Sequence, residues 1–154
     1  TVFRNSKLVA LSLILGAGLM YIAEKISKKN KTLTPKKGFI VGLFQALALV
    51  PGISRSGATI SGGLIVGLNR VEATRFSFLL AFPIITGTGL KKLFDAWGGE
   101  AVNILDISLA FGFVTSFLVG LAAIHFLITY LKNHDLKVFI IYRIILAAVV
   151  LVFF

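Results

Sequence analysis

GFIVGLFQALALVPGISRSGATISGGLIVGL, residues 38–68, holds two short apolar stretches around a polar turn. Gly38–Val50 would make a helix of roughly 20 Å and Ala58–Leu68 one of roughly 16 Å. Neither alone crosses a hydrocarbon core of about 30 Å. Together they predict a re-entrant helix–loop–helix at 38–68 that leaves the membrane on the side it entered. The competing arrangement is a single long, broken transmembrane helix. Irregular backbone at membrane depth is tolerated only where it is buried in protein or lines a wet cavity. Arg55 sits inside this turn, and a guanidinium in apolar surroundings is costly unless it faces a cavity or an anion.

The turn's chemistry suits phosphate. Arginine presents a rigid fork of donors and stays charged. Gly52 and Gly57 permit backbone conformations that other residues resist. Ser54 or Ser56 is predicted to cap a helix starting near Ala58. The N–H groups of Gly57, Ala58 and Thr59 would then point at an anion, with the helix dipole behind them. Thr59, Gly63 and Gly67 recur every fourth residue, a spacing that lets another helix approach closely. The set Gly52, Ser54, Arg55, Ser56, Gly57, Ala58 and Thr59 reads as a phosphate or pyrophosphate clamp, with Arg55 the catalytic candidate. The alternative is an arginine that pairs with an acid or with carbonyls to hold the loop. No acidic residue lies within residues 38–68.

Composition sets the class. Hydrophobic residues make up 57% of the chain and charged residues 14%, and the mean hydropathy is +0.96. Soluble domains carry roughly a quarter charged residues, so an all-α integral membrane protein is expected. There is no cysteine, which excludes disulfides and thiolate metal sites. The net charge of +10 raises the question of nucleic acid, but six of the sixteen basic residues fall in Lys25–Lys37, between apolar segments. That is the pattern of a positive-inside loop, with anionic-lipid binding secondary, and no nucleic-acid partner is expected. The chain starts at Thr1, close to an apolar helix and without a signal-peptide pattern, which reads as a fragment.

Outside the turn, Leu8–Ala23 is one apolar run, extendable at its N-terminal side. Thr34-Pro35 is an expected N-cap with proline at the first helical position. Asn69 and Glu72 form an expected capping pair opening a helix from Arg70 to about Leu93, kinked at Pro83. Asp95–Glu100 reads as a polar turn, Ile104–Tyr130 as a span, Leu131–Asp135 as a link and Lys137–Phe154 as the last span. The expectation is four transmembrane helices plus one re-entrant hairpin in a single membrane domain, residues 1–154. With re-entry, ten basic residues share the Lys25–Lys37 side and four lie opposite, so that loop is predicted to be cytoplasmic. His125, His134, Trp97, Tyr21, Tyr130 and Tyr142 read as packing or interfacial residues. Arg143 is expected to snorkel to the interface, or else to pair with a buried group such as Glu72.

QALALVPGISRSGATISGGLIVGLNRVEATRFSFLLAFPIITGTGL closely resembles the second signature region of the bacitracin-resistance family, the undecaprenyl pyrophosphate phosphatases. The tail FLITYLKNHDLKVFIIYRIILA is similar to the family's C-terminal end. The resemblance implies half of an inverted-repeat fold, with residues 8–23 the last span of the preceding repeat and 38–154 the second repeat. The family's other signature, a Glu-rich stretch leading through Pro and Ser-Ser to Gly-His, does not occur in residues 1–154. It is thought to supply carboxylates, a divalent metal site and the nucleophile or base. Gln45 and Leu49 occupy the repeat-related positions where the first half carries glutamates. The resemblance therefore implies a divalent cation, Mg or Ca, whose ligands lie mostly in a missing N-terminal half, with no metal ligands in this chain.

Two functions follow as expectations. The first is part of an undecaprenyl-diphosphatase that hydrolyses the polyprenyl diphosphate to the monophosphate and recycles the cell-wall lipid carrier in a bacterial inner (plasma) membrane. The fragment alone would be inactive; its partners would be the lipid, the membrane and the missing half, and a homodimer is compatible with the pattern. The second is a lipid-phosphate flippase or anion transporter using the same re-entrant phosphate site.

Overall fold

A computed structural model describes residues 6–27, 32–98 and 107–153, with side chains up to Asp95 in the middle stretch. Its elements are α1 (Ser6–Ile26), α2 (Pro35–Ala46), a 3-10 turn at Leu47–Leu49, α3 (Arg55–Ile65), α4 (Arg70–Gly98), α5 (Ile107–Asn133) and α6 (Lys137–Phe153). No strand occurs among the described residues.

Capping chemistry sets the boundaries. Thr34 accepts a hydrogen bond from the Lys37 N–H at 3.4 Å, with Pro35 in the first turn, so α2 starts at the expected cap, three residues before the apolar stretch that opens at Gly38. Its last turn tightens to 3-10 geometry before Val50. Ser54 caps α3, which starts at Arg55 and not near Ala58. The same helix ends at Ile65 in a Schellman motif: Gly67 N–H bonds the Leu64 carbonyl at 3.0 Å and Leu68 N–H bonds the Gly63 carbonyl at 2.9 Å. That motif needs Gly67 at φ +94°. Asn69 accepts from the Glu72 N–H at 2.9 Å, the expected start of α4.

Three boundaries move outward. The helix α4 runs through Pro83 to Gly98, so Asp95–Gly98 are helical where a turn was expected. Continuing past Tyr130 to Asn133, α5 takes up part of the expected link. At its C-terminal end α1 reaches Ile26. Arg4, Lys28–Lys31, the Gly99–Glu100 end of the expected turn, the 104–106 start of the expected span, Phe154 and the Trp97 side chain lie outside the described residues.

Among the described residues, three helices are long and apolar enough to cross a membrane: Ser6–Ile26, Arg70–Asp95 and Ile107–Asn133. The structure describes α6 over 17 residues, Lys137–Phe153, of the expected span Lys137–Phe154.

At the centre, α3 packs against α1, α2 and α4, while α1 also packs along α6. Close approach to α4 is made possible by Gly63, where a Cβ would lie 2.7 Å from the Ala73 Cβ. One turn earlier, the Thr59 hydroxyl meets the Ser77 hydroxyl at 2.6 Å. Thr59 and Gly63 are therefore the contact face that their spacing suggested, whereas Gly67 caps the helix. Leu64, Leu68, Ala73, Leu131 and Leu136 form the core beside them.

One end of the bundle is tied by charge. Glu24 of α1 pairs with Arg70 at the start of α4. The chain thus leaves this end after Ile26 and returns to it at Arg70. Asp135 and Lys137 pair at 2.8 Å in the adjoining α5–α6 turn, and the lysine holds the Asp135 carboxyl below its usual range.

Candidate functional site

The loop between α2 and α3 is built from its backbone. Val50, Pro51, Gly52 and Ile53 make a turn closed by the Ile53 N–H on the Val50 carbonyl at 3.1 Å. Proline second and a positive-φ glycine third are the requirements of a type II turn, and Gly52 has φ +100°. A Cβ at Gly52 would come within 2.8 Å of both Ser12 Cβ and the Val9 carbonyl oxygen. The turn is therefore pressed onto α1, which leaves its direction little freedom.

Ser54 then opens α3. Its hydroxyl oxygen accepts from the Gly57 N–H at 3.1 Å and lies 3.1 Å from the Ser56 hydroxyl. The Ala58 N–H bonds the Ser54 carbonyl at 2.9 Å. This corrects the expected donor set. Gly57 and Ala58 are satisfied inside the cap, Thr59 lies a turn further in, and the unpaired first-turn donors are the Arg55 and Ser56 N–H groups. Thr59 also differs from expectation. It is fully buried, and its hydroxyl is engaged by the Arg55 carbonyl and by Ser77, so it ties α3 to α4.

Arg55 is half-buried and lines a cavity of about 450 Å³ together with Gln45, Ala48, Leu49 and Ile84. Its guanidinium has no hydrogen bond or ion pair among the described residues. The alternative of an arginine held by an acid or by carbonyls thus finds no partner here. Gln45 shares that cavity, and its Oε1 is buried without a hydrogen-bond partner.

Ser54, Ser56 and Gly57 line a second cavity of about 200 Å³, walled by Met20, Leu127, Phe139 and Tyr142. The expected clamp therefore divides: Arg55 and Gln45 on one cavity, the two serines on the other.

Arg143 joins the serines. It is only 8% exposed, lines the same cavity, and donates from Nη2 to the Gly52 carbonyl at 3.1 Å. The expected snorkelling or pairing with Glu72 is corrected: the side chain turns inward onto the loop. Gly16 of α1 makes room, since a Cβ there would collide with the guanidinium. The sequence signal was an arginine inside an apolar run, the same signal that marked Arg55. What could not be seen was its partner, a backbone carbonyl 91 positions away.

His125 stands on the exposed face of α5. The His134 ring stacks on Tyr130 at 4.3 Å, a packing role. Among the described residues, no group of three His, Asp or Glu side chains is placed to hold a metal ion. Glu24 is paired with Arg70 and Asp135 with Lys137. The loop itself offers cations, hydroxyls and N–H donors, which suit an anion and do not fit a divalent cation.

The model of the bacitracin resistance protein BacA family matches residues 1–149. The chain belongs to that family. An undecaprenyl-diphosphatase of Elusimicrobium minutum is 40% identical over 99% of this chain and 58% of its own length. One from Bacillus velezensis is 43% identical over 93% of this chain and 54% of its own. A third, from Aquifex aeolicus, is 40% identical over 97% and 60%. The chain thus spans a little over half the length of these bacitracin-resistance relatives. Family membership and three apolar helices agree on a multi-pass membrane protein.

Proposed function

We propose that residues 50–59 are the anion-holding part of an undecaprenyl-diphosphatase. The whole protein would hydrolyse a polyprenyl diphosphate: water adds to the terminal phosphorus, the bridging P–O bond breaks, and the monophosphate lipid carrier and inorganic phosphate leave. The observation that carries this reading is the unpartnered Arg55 guanidinium at the start of α3, in a chain about 40% identical to undecaprenyl-diphosphatases.

Arg55 takes the diphosphate oxygens and offsets charge developing on the transferred phosphoryl group. The free N–H groups of Arg55 and Ser56 add the helix terminus, and the Ser54 and Ser56 hydroxyls, on the other cavity, hold the cap that aims it. Arg143 acts through the Gly52 carbonyl and is a positioning residue. Gln45, beside Arg55, orients the bound group. A divalent cation would supply Lewis-acid stabilisation, and the carboxylates to hold it, with the nucleophile or base, would have to come from outside the described residues. A homodimer remains compatible.

The hairpin α2–α3 is re-entrant in this reading. The return of the chain to the Glu24–Arg70 end supports it, as do two helices of 12 and 11 residues, each too short to span. The basic Lys25–Lys37 loop then faces the cytoplasm of a bacterial inner membrane, α6 is a fourth, short span, and residues 38–154 form one repeat of an inverted pair. The test is phosphate release from a polyprenyl diphosphate by the whole protein in detergent. A protein that moves lipid but releases no phosphate would overturn the hydrolase reading.

A further inference from the structure

A groove between the start of α4 and the end of α5 backs onto the serine-lined cavity through the buried Leu131 but shares no polar or charged residue with either cavity of the Pro51–Gly57 loop. Its volume is about 600 Å³, and Asn69, Arg70, Glu72, Arg75, Leu131 and Lys132 line it. Both helices are long and apolar enough to span, and the groove joins the first turns of one to the last turn of the other. It therefore sits where a membrane's hydrocarbon gives way to headgroups.

The charges are unevenly used. Arg70 is matched by Glu24. Arg75 and Lys132 are exposed and form no ion pair among the described residues, although Glu72 stands three residues before Arg75 on the same helix. Three cations (Arg70, Arg75, Lys132) face two carboxylates (Glu72 in the lining, Glu24 behind Arg70), a surplus of one positive charge. That surplus matches a monoanion and falls short of a diphosphate. Val71 adds apolar surface beside the charges, which a free ion would not use.

We propose that this groove binds the phosphodiester headgroup of an anionic membrane lipid, with Arg75 and Lys132 holding the phosphate oxygens. Basic pockets between the ends of spanning helices are suited to such headgroups. Inorganic phosphate offers the same oxygens from the aqueous side, so the test must separate the two. The site shares no residue with the Pro51–Gly57 loop and does not depend on the phosphatase reading.

Residues 1–154, purified in a non-ionic detergent, are titrated with phosphatidylglycerol and with phosphatidylcholine, and bound lipid is read by native mass spectrometry. Phosphatidylglycerol should bind on the order of tenfold more tightly than phosphatidylcholine. The double variant Arg75→Gln, Lys132→Gln should lose that preference. Arg75→Lys with Lys132→Arg should keep it, and so should Lys36→Gln with Lys37→Gln in the basic loop. A preference that survives Arg75→Gln, Lys132→Gln, or that the charge-keeping pair also abolishes, overturns the proposal. Displacement of phosphatidylglycerol by millimolar inorganic phosphate would assign the groove to a soluble anion and overturn the lipid assignment.

Discussion

Arg55 carries its charge into a cavity where no described residue answers it. A permanently charged group with five donors is stable there only with water or an anion around it. Lysine would keep the charge and lose the fork. Arg55→Lys in the whole protein should therefore lower phosphate release by about 10²-fold with the fold intact, measured as kcat/KM beside a thermal melt. Near-normal turnover would remove Arg55 from the reaction. Arg143 makes a different case, because its bond goes to the loop backbone. Arg143→Met leaves the part-buried Gly52 carbonyl without its donor, at a cost of about 1 kcal/mol. Gly16→Ala should reproduce the effect without touching Arg143, since the new methyl occupies the guanidinium's place. Both variants should speed hydrogen exchange across residues 52–56. Unchanged exchange in both would mean that the loop holds its shape without Arg143.

At the scale of elements, α3 is the hinge-free centre on which the loop is mounted. Its contact with α4 depends on an absent side chain: Gly63→Ala would force a Cβ against Ala73. The expected result is a destabilisation of about 1–3 kcal/mol in detergent, read from chemical unfolding, with loss of activity following from displacement of the Ser54 cap. The re-entrant hairpin has its own test. Single cysteines replacing Lys36 and Glu72, both exposed near the two bases of the hairpin, should react with an impermeant thiol reagent from the same face of the membrane. Reaction from opposite faces would make α2–α3 a broken span. Much of this architecture could be read from residues alone, because the signals were local: Thr34-Pro35, Asn69 with Glu72, two short apolar stretches, and Thr59 with Gly63 at helical spacing. The start of α3 could not, since Ser54 and Ser56 are equally good caps and only the fixed direction of the Gly52 turn selects the first. Nor could the division of the clamp into two cavities, which follows from how α1, α5 and α6 close around the serines. The Glu24–Arg70 pair and the inward turn of Arg143 were equally hidden, because each joins residues far apart in the chain.

For the molecule as a whole, cations and hydroxyls gather at the loop while no metal-binding group of acids gathers among the described residues. Residues 1–154 alone should therefore release no phosphate from a polyprenyl diphosphate, with magnesium or calcium present. Co-expression with the remaining part of a family member should restore release. Metal-dependent turnover by this chain alone, free of host enzymes, would show that the reactive groups are here after all, with His125, His134 and the loop serines the first to re-examine. The reach of Arg143 also has a meaning in time. The loop it braces belongs to the α2–α3 hairpin, whereas Arg143 itself sits on α6, 91 residues later. A ribosome delivers the hairpin to the membrane long before it delivers the brace. Throughout that interval the Gly52 carbonyl awaits its donor, and the anion-holding loop is assembled but unlocked. Completion of the site thus waits on the synthesis of α6, and a nascent chain stalled after α5 would carry the signature residues without the geometry that makes them work.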